Sequence, residues 1–239
     1  MKQLGLEILA DPPALAARVG EWLLAAAGAS RARFAVALSG GSTPKRLYET
    51  LAGPGFVERF PWARVHWFWG DERFVPHDDP LSNYRMTREA MLAHAPIPPA
   101  NIHPVPIDGL TPEAAASAYE RELMSFYGAD RLDSARPLFG VTLLGLGEDG
   151  HTASLFPGDK ALDERRHWTA AVIGAKTEAR ITLTYPALES SGAVAFLVEG
   201  EAKRAILARF RQGDPALPAS RLDPAGTFCI FADKAAAAG

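Results

Sequence analysis

The residues best suited to chemistry sit in one glycine-rich stretch, Gly145-Leu146-Gly147-Glu148-Asp149-Gly150-His151-Thr152-Ala153-Ser154-Leu155-Phe156-Pro157-Gly158. His151 stands two residues beyond Asp149, just after the apolar strand-like run 141–144. An imidazole takes up and releases protons near neutral pH, so a loop histidine beside a carboxylate can act as a general base. Strand ends that open into glycine turns are where α/β sheets carry such groups. Residues 145–150 also spell G-x-G-x-x-G. A dinucleotide site needs a helix that opens on that loop and points bare amides at a pyrophosphate. Glu148 and Asp149 repel phosphate, and Pro157 and Gly158 come too soon for a long helix. The stretch is therefore not read as a nicotinamide or flavin site.

Four further groups of residues could serve a ligand. Ser39-Gly40-Gly41-Ser42-Thr43-Pro44 lies between a strand-like and a helix-like segment. Gly40 and Gly41 let the backbone approach a ligand, Ser42 and Thr43 carry hydroxyls, and Pro44 suits a first helical turn. The loop lacks a Walker A pattern, so it reads either as a site for one phosphate or as a plain turn with a capping hydroxyl. Gly70-Asp71-Glu72-Arg73 follows an aromatic strand. Arg73 can steady an oxyanion or a phosphate, and Asp71 can act as a base or accept from sugar hydroxyls; the alternative is a solvated turn. Asn83, at a helix start, can touch a ligand hydroxyl or cap the helix. Arg180 precedes a short strand. Lys203 falls in the first turn of a helix, where a cation is unfavourable unless an anion is bound or solvent screens it.

The elements that must hold these groups alternate. Strands are expected at 33–39, 64–69, 138–144, 168–173, 181–184, 193–198 and 227–231. Helices are expected at 12–28, after Pro44, at 80–94, 112–127 and 201–210, with a short helix or tail at 235–238. Alternation implies an α/β fold, a largely parallel, doubly wound sheet with helices on both faces. The chain has 239 residues, 48% of them hydrophobic, which suits a single α/β domain. A net charge of −3 with interspersed signs gives no nucleic-acid stripe and no membrane patch. No apolar run is long enough to span a bilayer, and the short one at 4–10 contains Glu7, so no signal peptide is read. Cys229 is expected to be a small buried hydrophobe, and no zinc-type spacing occurs. His66, His77, His94, His103 and His167 are read as structural or surface residues. A reducing, cytoplasmic setting fits best.

Residues 38–44, 69–73, 82–84, 145–158 and 180–184, with a weaker match at 200–203, resemble the 6-phosphogluconolactonase family, within the larger group that holds glucosamine-6-phosphate isomerases/deaminases. Two departures are Gly140, where an acidic residue is often seen, and the lack of the usual proline before Arg180. The resemblance implies a Rossmann-like, sugar-phosphate isomerase type of fold. It also implies hydrolysis of 6-phospho-D-glucono-1,5-lactone to 6-phosphogluconate in the oxidative pentose phosphate pathway. No metal and no cofactor are expected. The phosphate would rest on Gly40, Gly41, Ser42 and Thr43, clamped by Arg180 and Lys203, with Asn83 nearby. His151 would activate water, Asp149 would orient it or bond only to backbone, and Arg73 or a loop N–H would meet the oxyanion. The expected partner is the phosphorylated lactone alone, and the chain is expected to be a monomer or weak homo-oligomer. Two alternatives are a deaminase/isomerase-like enzyme and a non-catalytic sugar-phosphate-binding protein. The deaminases resemble G-H-x-A-x-x-E-P-G, with a glutamate five residues after the histidine; here Phe156 stands there.

Overall fold

The computed structural model describes residues 5–30 and 32–238; Leu4, the start of the first apolar run, lies outside them. Among the described residues the strands are β1 (Gly5–Leu9), β2 (Phe34–Leu38), β3 (Val65–Trp69), β4 (Asp71–Arg73), β5 (Phe139–Gly145), β6 (Thr169–Val172), β7 (Arg180–Leu183), β8 (Ser191–Val198) and β9 (Thr227–Asp233). The α-helices are α1 (Pro12–Ala29), α2 (Ser42–Ala52), α3 (Asn83–Thr87), α4 (Pro112–Tyr127), α5 (Tyr185–Glu189), α6 (Arg204–Arg211) and α7 (Lys234–Ala237).

Six strands form a wholly parallel sheet in the order β1-β9-β8-β5-β2-β3. Its central strands are apolar on both sides because helices cover both faces; all five residues of β2 are buried. The order reverses between β2 and β5. From β2 the chain winds outward to β3, and from β5 it winds the other way through β8 to β9. Loops after strands that part in this way leave a crevice at the carboxyl ends, the usual place for a ligand in such sheets.

The helix signals read from sequence act as expected. Asp11 Oδ1 accepts from the Ala14 amide at 2.8 Å and opens α1. Thr111 does the same for α4, which Gly128 ends at φ +79°. Five readings need correction. β6 and β7 do not join the parallel sheet. They pair antiparallel with each other, and β4 pairs antiparallel with β7, giving a separate sheet of order β4-β7-β6. Only residues 173–179 link β6 to β7, too few for a parallel crossover. Residues 71–73, outside the expected strands and with a solvated turn as their alternative reading, form an edge strand of that sheet. The expected helix at 80–94 begins three residues later, at Asn83, and continues as a π-helical turn over Arg88–Leu92. The expected helix at 201–210 opens with a 3-10 turn, Glu201–Lys203, so Lys203 caps α6 rather than lying inside it. Cys229 is half-buried on β9, beside the short edge strand β1, which the sequence reading missed.

Candidate active site

A cavity of about 270 Å³ opens at the reversal between β2 and β5. One wall is the loop Ser39–Pro44. Gly41 stands at φ +102° and lets α2 begin at once with Ser42, leaving the first amides of an 11-residue helix without intrahelical partners. Gly40 is required for a different reason. A Cβ there would lie 2.0 Å from Asn83 Oδ1, so the Asn83 amide packs flat on the loop. Behind the loop, the Tyr48 hydroxyl accepts from the Ser39 amide at 3.0 Å and donates to the Ser39 carbonyl at 2.7 Å.

The facing wall follows β5. The chain turns tightly: the Gly150 amide donates to the Gly147 carbonyl, the Gly147 amide to the His151 carbonyl, and Thr152 Oγ1 to the Gly145 carbonyl. No helix opens on this turn, so its glycine pattern holds no dinucleotide geometry. His151 Nδ1 lies 2.5 Å from Asp149 Oδ1, which also accepts from the His151 amide at 3.0 Å. Burial opposes ionisation of Asp149, but both His151 contacts and the charge of Lys176 outweigh it and hold the carboxyl below its ordinary range. Gly147 makes the pair possible, since a Cβ there would meet His151 Nδ1 at 2.0 Å. Phe156 packs its ring 4.7 Å from the imidazole. Ala153, also in the wall, stands at φ +48°.

The third wall comes from β4. Gly70 joins the two sheets: its amide donates to Leu38, and its carbonyl accepts from Leu183. Asp71 Oδ2 accepts from Ser154 Oγ at 2.7 Å, and its carbonyl accepts from Asn83 Nδ2 at 2.9 Å. Glu72, only 1% exposed, accepts from the amides of Arg73, Asn83 and Tyr84 and from Ser82 Oγ. Burial raises its carboxyl above the usual range, against the pull of these four donors. The sequence reading gave Glu72 no role. Its four donors tie the end of β4 to the start of α3 and so position Asn83. The cap of α3 is Ser82, leaving the Asn83 side chain free for Asp71 and the loop.

The fold thus brings Gly40, Gly41, Ser42, Thr43, Asp71, Arg73, Asn83, His151 and Lys203 into the lining of one cavity. Asp149 stands behind His151, outside the lining. Arg180 is also outside it: it lies opposite Arg73 in the β4–β7 register. Burial and the neighbouring Arg73 lower the Arg180 guanidinium from its ordinary value, against Asp71, Glu178 and Glu72. Its Nη1 is buried without a hydrogen bond. Of the two residues expected to clamp a phosphate, Lys203 lines the cavity and Arg180 does not. Glu199 also lines the cavity and was not foreseen.

Comparison with known proteins follows the same lines. Residues 10–230 match the family described as glucosamine-6-phosphate isomerases/6-phosphogluconolactonase. A 6-phosphogluconolactonase of Nostoc sp. is 40% identical over 240 residues, covering 98% of this chain and 97% of that one. A Synechocystis sp. 6-phosphogluconolactonase is 42% identical, covering 87% and 85%. The crystal structure of the 6-phosphogluconolactonase of Thermotoga maritima superposes with a TM-score of 0.83 at 31% identity, covering 97% of this chain and all of that one.

Proposed function

Because the chain belongs to the glucosamine-6-phosphate isomerase/6-phosphogluconolactonase family, we propose that it hydrolyses 6-phospho-D-glucono-1,5-lactone to 6-phosphogluconate. This reaction is a step of the oxidative pentose phosphate pathway, and the proposed setting is cytoplasmic. The observation that carries the reading is the pairing of two walls: unpartnered helix amides on one side of the crevice and a carboxylate-backed imidazole on the other.

The phosphoryl group rests on the loop 40–43 and the start of α2, where exposed amides and the helix dipole favour an anion. Lys203, in the lining of the same cavity, meets it, and Arg180 adds positive charge from behind Arg73. Asn83 holds the loop's shape and offers its amide to the ligand. With the phosphate fixed, the ester carbonyl is held near His151, so remote binding energy serves orientation. His151 Nε2 removes a proton from water as that water attacks C1. Asp149 keeps Nδ1 protonated and steadies the imidazolium that forms. Arg73, one of whose N–H groups donates to the Leu81 carbonyl, offers the rest to the developing oxyanion. Asp71, held by Ser154, accepts from a hydroxyl beside the reacting carbonyl. The tetrahedral intermediate then expels the ring oxygen, and His151 returns the proton to it. No covalent nucleophile is needed. Phe156 supports hydrolysis over deamination, since an apolar ring at that position relays no proton.

The deciding experiment follows loss of the phosphorylated lactone, corrected for its spontaneous hydrolysis, beside deamination of glucosamine 6-phosphate. Fast lactone loss with no ammonia release is expected. Ammonia release, or lactone loss at the background rate, would overturn the proposal.

A further inference from the structure

Glu199 is the acidic residue of the cavity wall that the chemistry above leaves unused. It follows β8 directly and precedes Gly200, whose φ of +92° turns the chain into the segment bearing Lys203. Its side chain is 13% exposed, and its Oε2 is buried with no hydrogen-bond partner. Arg46 Nε stands 3.9 Å away, beyond hydrogen-bond reach. A carboxylate oxygen withdrawn from water without a donor is costly, and the cost falls when a donor arrives with a ligand.

The donor is not the phosphoryl group, which offers acceptor oxygens and a like charge. It is a hydroxyl. In a 1,5-lactone the oxygen on C5 is locked in the ring ester, so the first free hydroxyl counted from the phosphorylated end is on C4. Glu199 lines the cavity together with Lys203, and its 3.9 Å approach to Arg46 sets it beside α2, the helix whose start holds that phosphorylated end. The geometry points to Glu199 as the residue that accepts a hydrogen bond from the C4 hydroxyl of the bound sugar. It would thereby select among phosphorylated lactones, an inference that rests on the lactonase reading above. A hydroxyl read by a buried charged acceptor is a strong discriminator, because its loss leaves the acceptor unpaired.

The test compares kcat/KM for 6-phosphogluconolactone and its 4-deoxy counterpart in wild type, Glu199→Ala and Glu199→Gln. Wild type should favour the natural lactone by about 10- to 100-fold. In Glu199→Ala that ratio should collapse to about twofold or less, with most of the loss on the natural substrate. Glu199→Gln, whose amide oxygen still accepts, should fall between them. Competitive inhibition by inorganic phosphate should change little. A wild-type ratio near one, or a ratio that survives Glu199→Ala, overturns the assignment. So does tighter inhibition by phosphate in Glu199→Ala with the ratio intact, which would make the carboxylate a brake on anions only. Wild type that turns over no lactone at all is a separate outcome: it removes the parent reading and this one with it.

Discussion

His151 is positioned from two directions: its amide and its Nδ1 both reach Asp149 Oδ1, and Phe156 packs its ring 4.7 Å from the imidazole. Replacing His151 with Ala should lower kcat by about a hundredfold or more with KM little changed, because a general base acts in the transition state rather than in binding. Steady-state kinetics check this, and unaltered turnover would remove the imidazole from the mechanism. Gly147→Ala is a subtler probe. Gly147 is not among the described glycines at positive φ, so its backbone tolerates a side chain, but the added methyl lands on the ring. It should lower kcat by about tenfold or more while the unfolding midpoint moves little. Full activity would mean that the ring has room to spare. His151 and Asp149 were legible in the sequence because the motif is local: the five residues 147–151 contain the turn, the acid and the base; the need for a bare Cα at Gly147 was not. Glu72 was not legible. Three charges after a strand read as solvated, and what buries Glu72 is a set of donors at residues 82–84, which only the fold brings to it.

Two helices stitch the strand ends on which the loops depend. Tyr48 of α2 closes on both backbone groups of Ser39, and Tyr119 of α4 closes in the same way on Trp69, at 2.8 and 3.0 Å. Beyond the last ladder bond a buried strand would otherwise leave an amide and a carbonyl orphaned. Burial pushes both phenols well above their ordinary range, so they keep the proton that each donates. Tyr48→Phe leaves the Ser39 amide and carbonyl unsatisfied and should cost about 1–3 kcal/mol of stability; urea unfolding with an unchanged midpoint would refute this. In the sequence, Leu47, Tyr48 and Leu51 fall at helical spacing and mark an apolar face, which the structure buries, but that spacing says nothing of the task of the hydroxyl. The second sheet was likewise hidden. The strand-like runs at 168–173 and 181–184 signal strands but not their partners, and the clue lay in the short link between them.

At the scale of the molecule, the cavity lies at the reversal between β2 and β5, and the proposed anion anchor draws on loops after strands distant in sequence. Lys203→Ala should therefore raise KM for the phosphorylated lactone by about tenfold or more and leave turnover of unphosphorylated gluconolactone nearly unchanged. Equal losses on both would contradict a phosphate contact. The edge strand β3 carries a different sensitivity. His66 Nδ1 lies 2.9 Å from His103 Nε2, and His103 Nδ1 lies 2.7 Å from Glu122, a group assembled from residues far apart in sequence. Burial first, then the charges of His103 and Arg33, draws His66 down to about 4. Between that value and the ordinary 6.5 the unfolded chain holds more protons, so stability is intact above this window and falls as pH drops through it. His66→Gln should flatten this acid limb in denaturant titrations, and an unchanged slope would discount the pair. Gly70 bears on how the two sheets behave together. The cavity takes His151 and the α2 amides from the parallel sheet but Asp71 and Arg73 from the antiparallel one, and the splice at Gly70 is short. A molecule lodged there bridges the two sheets and adds to the few contacts that join them. In saturating product, amide protons on β4 and β7 should exchange with deuterium as slowly as those on β2.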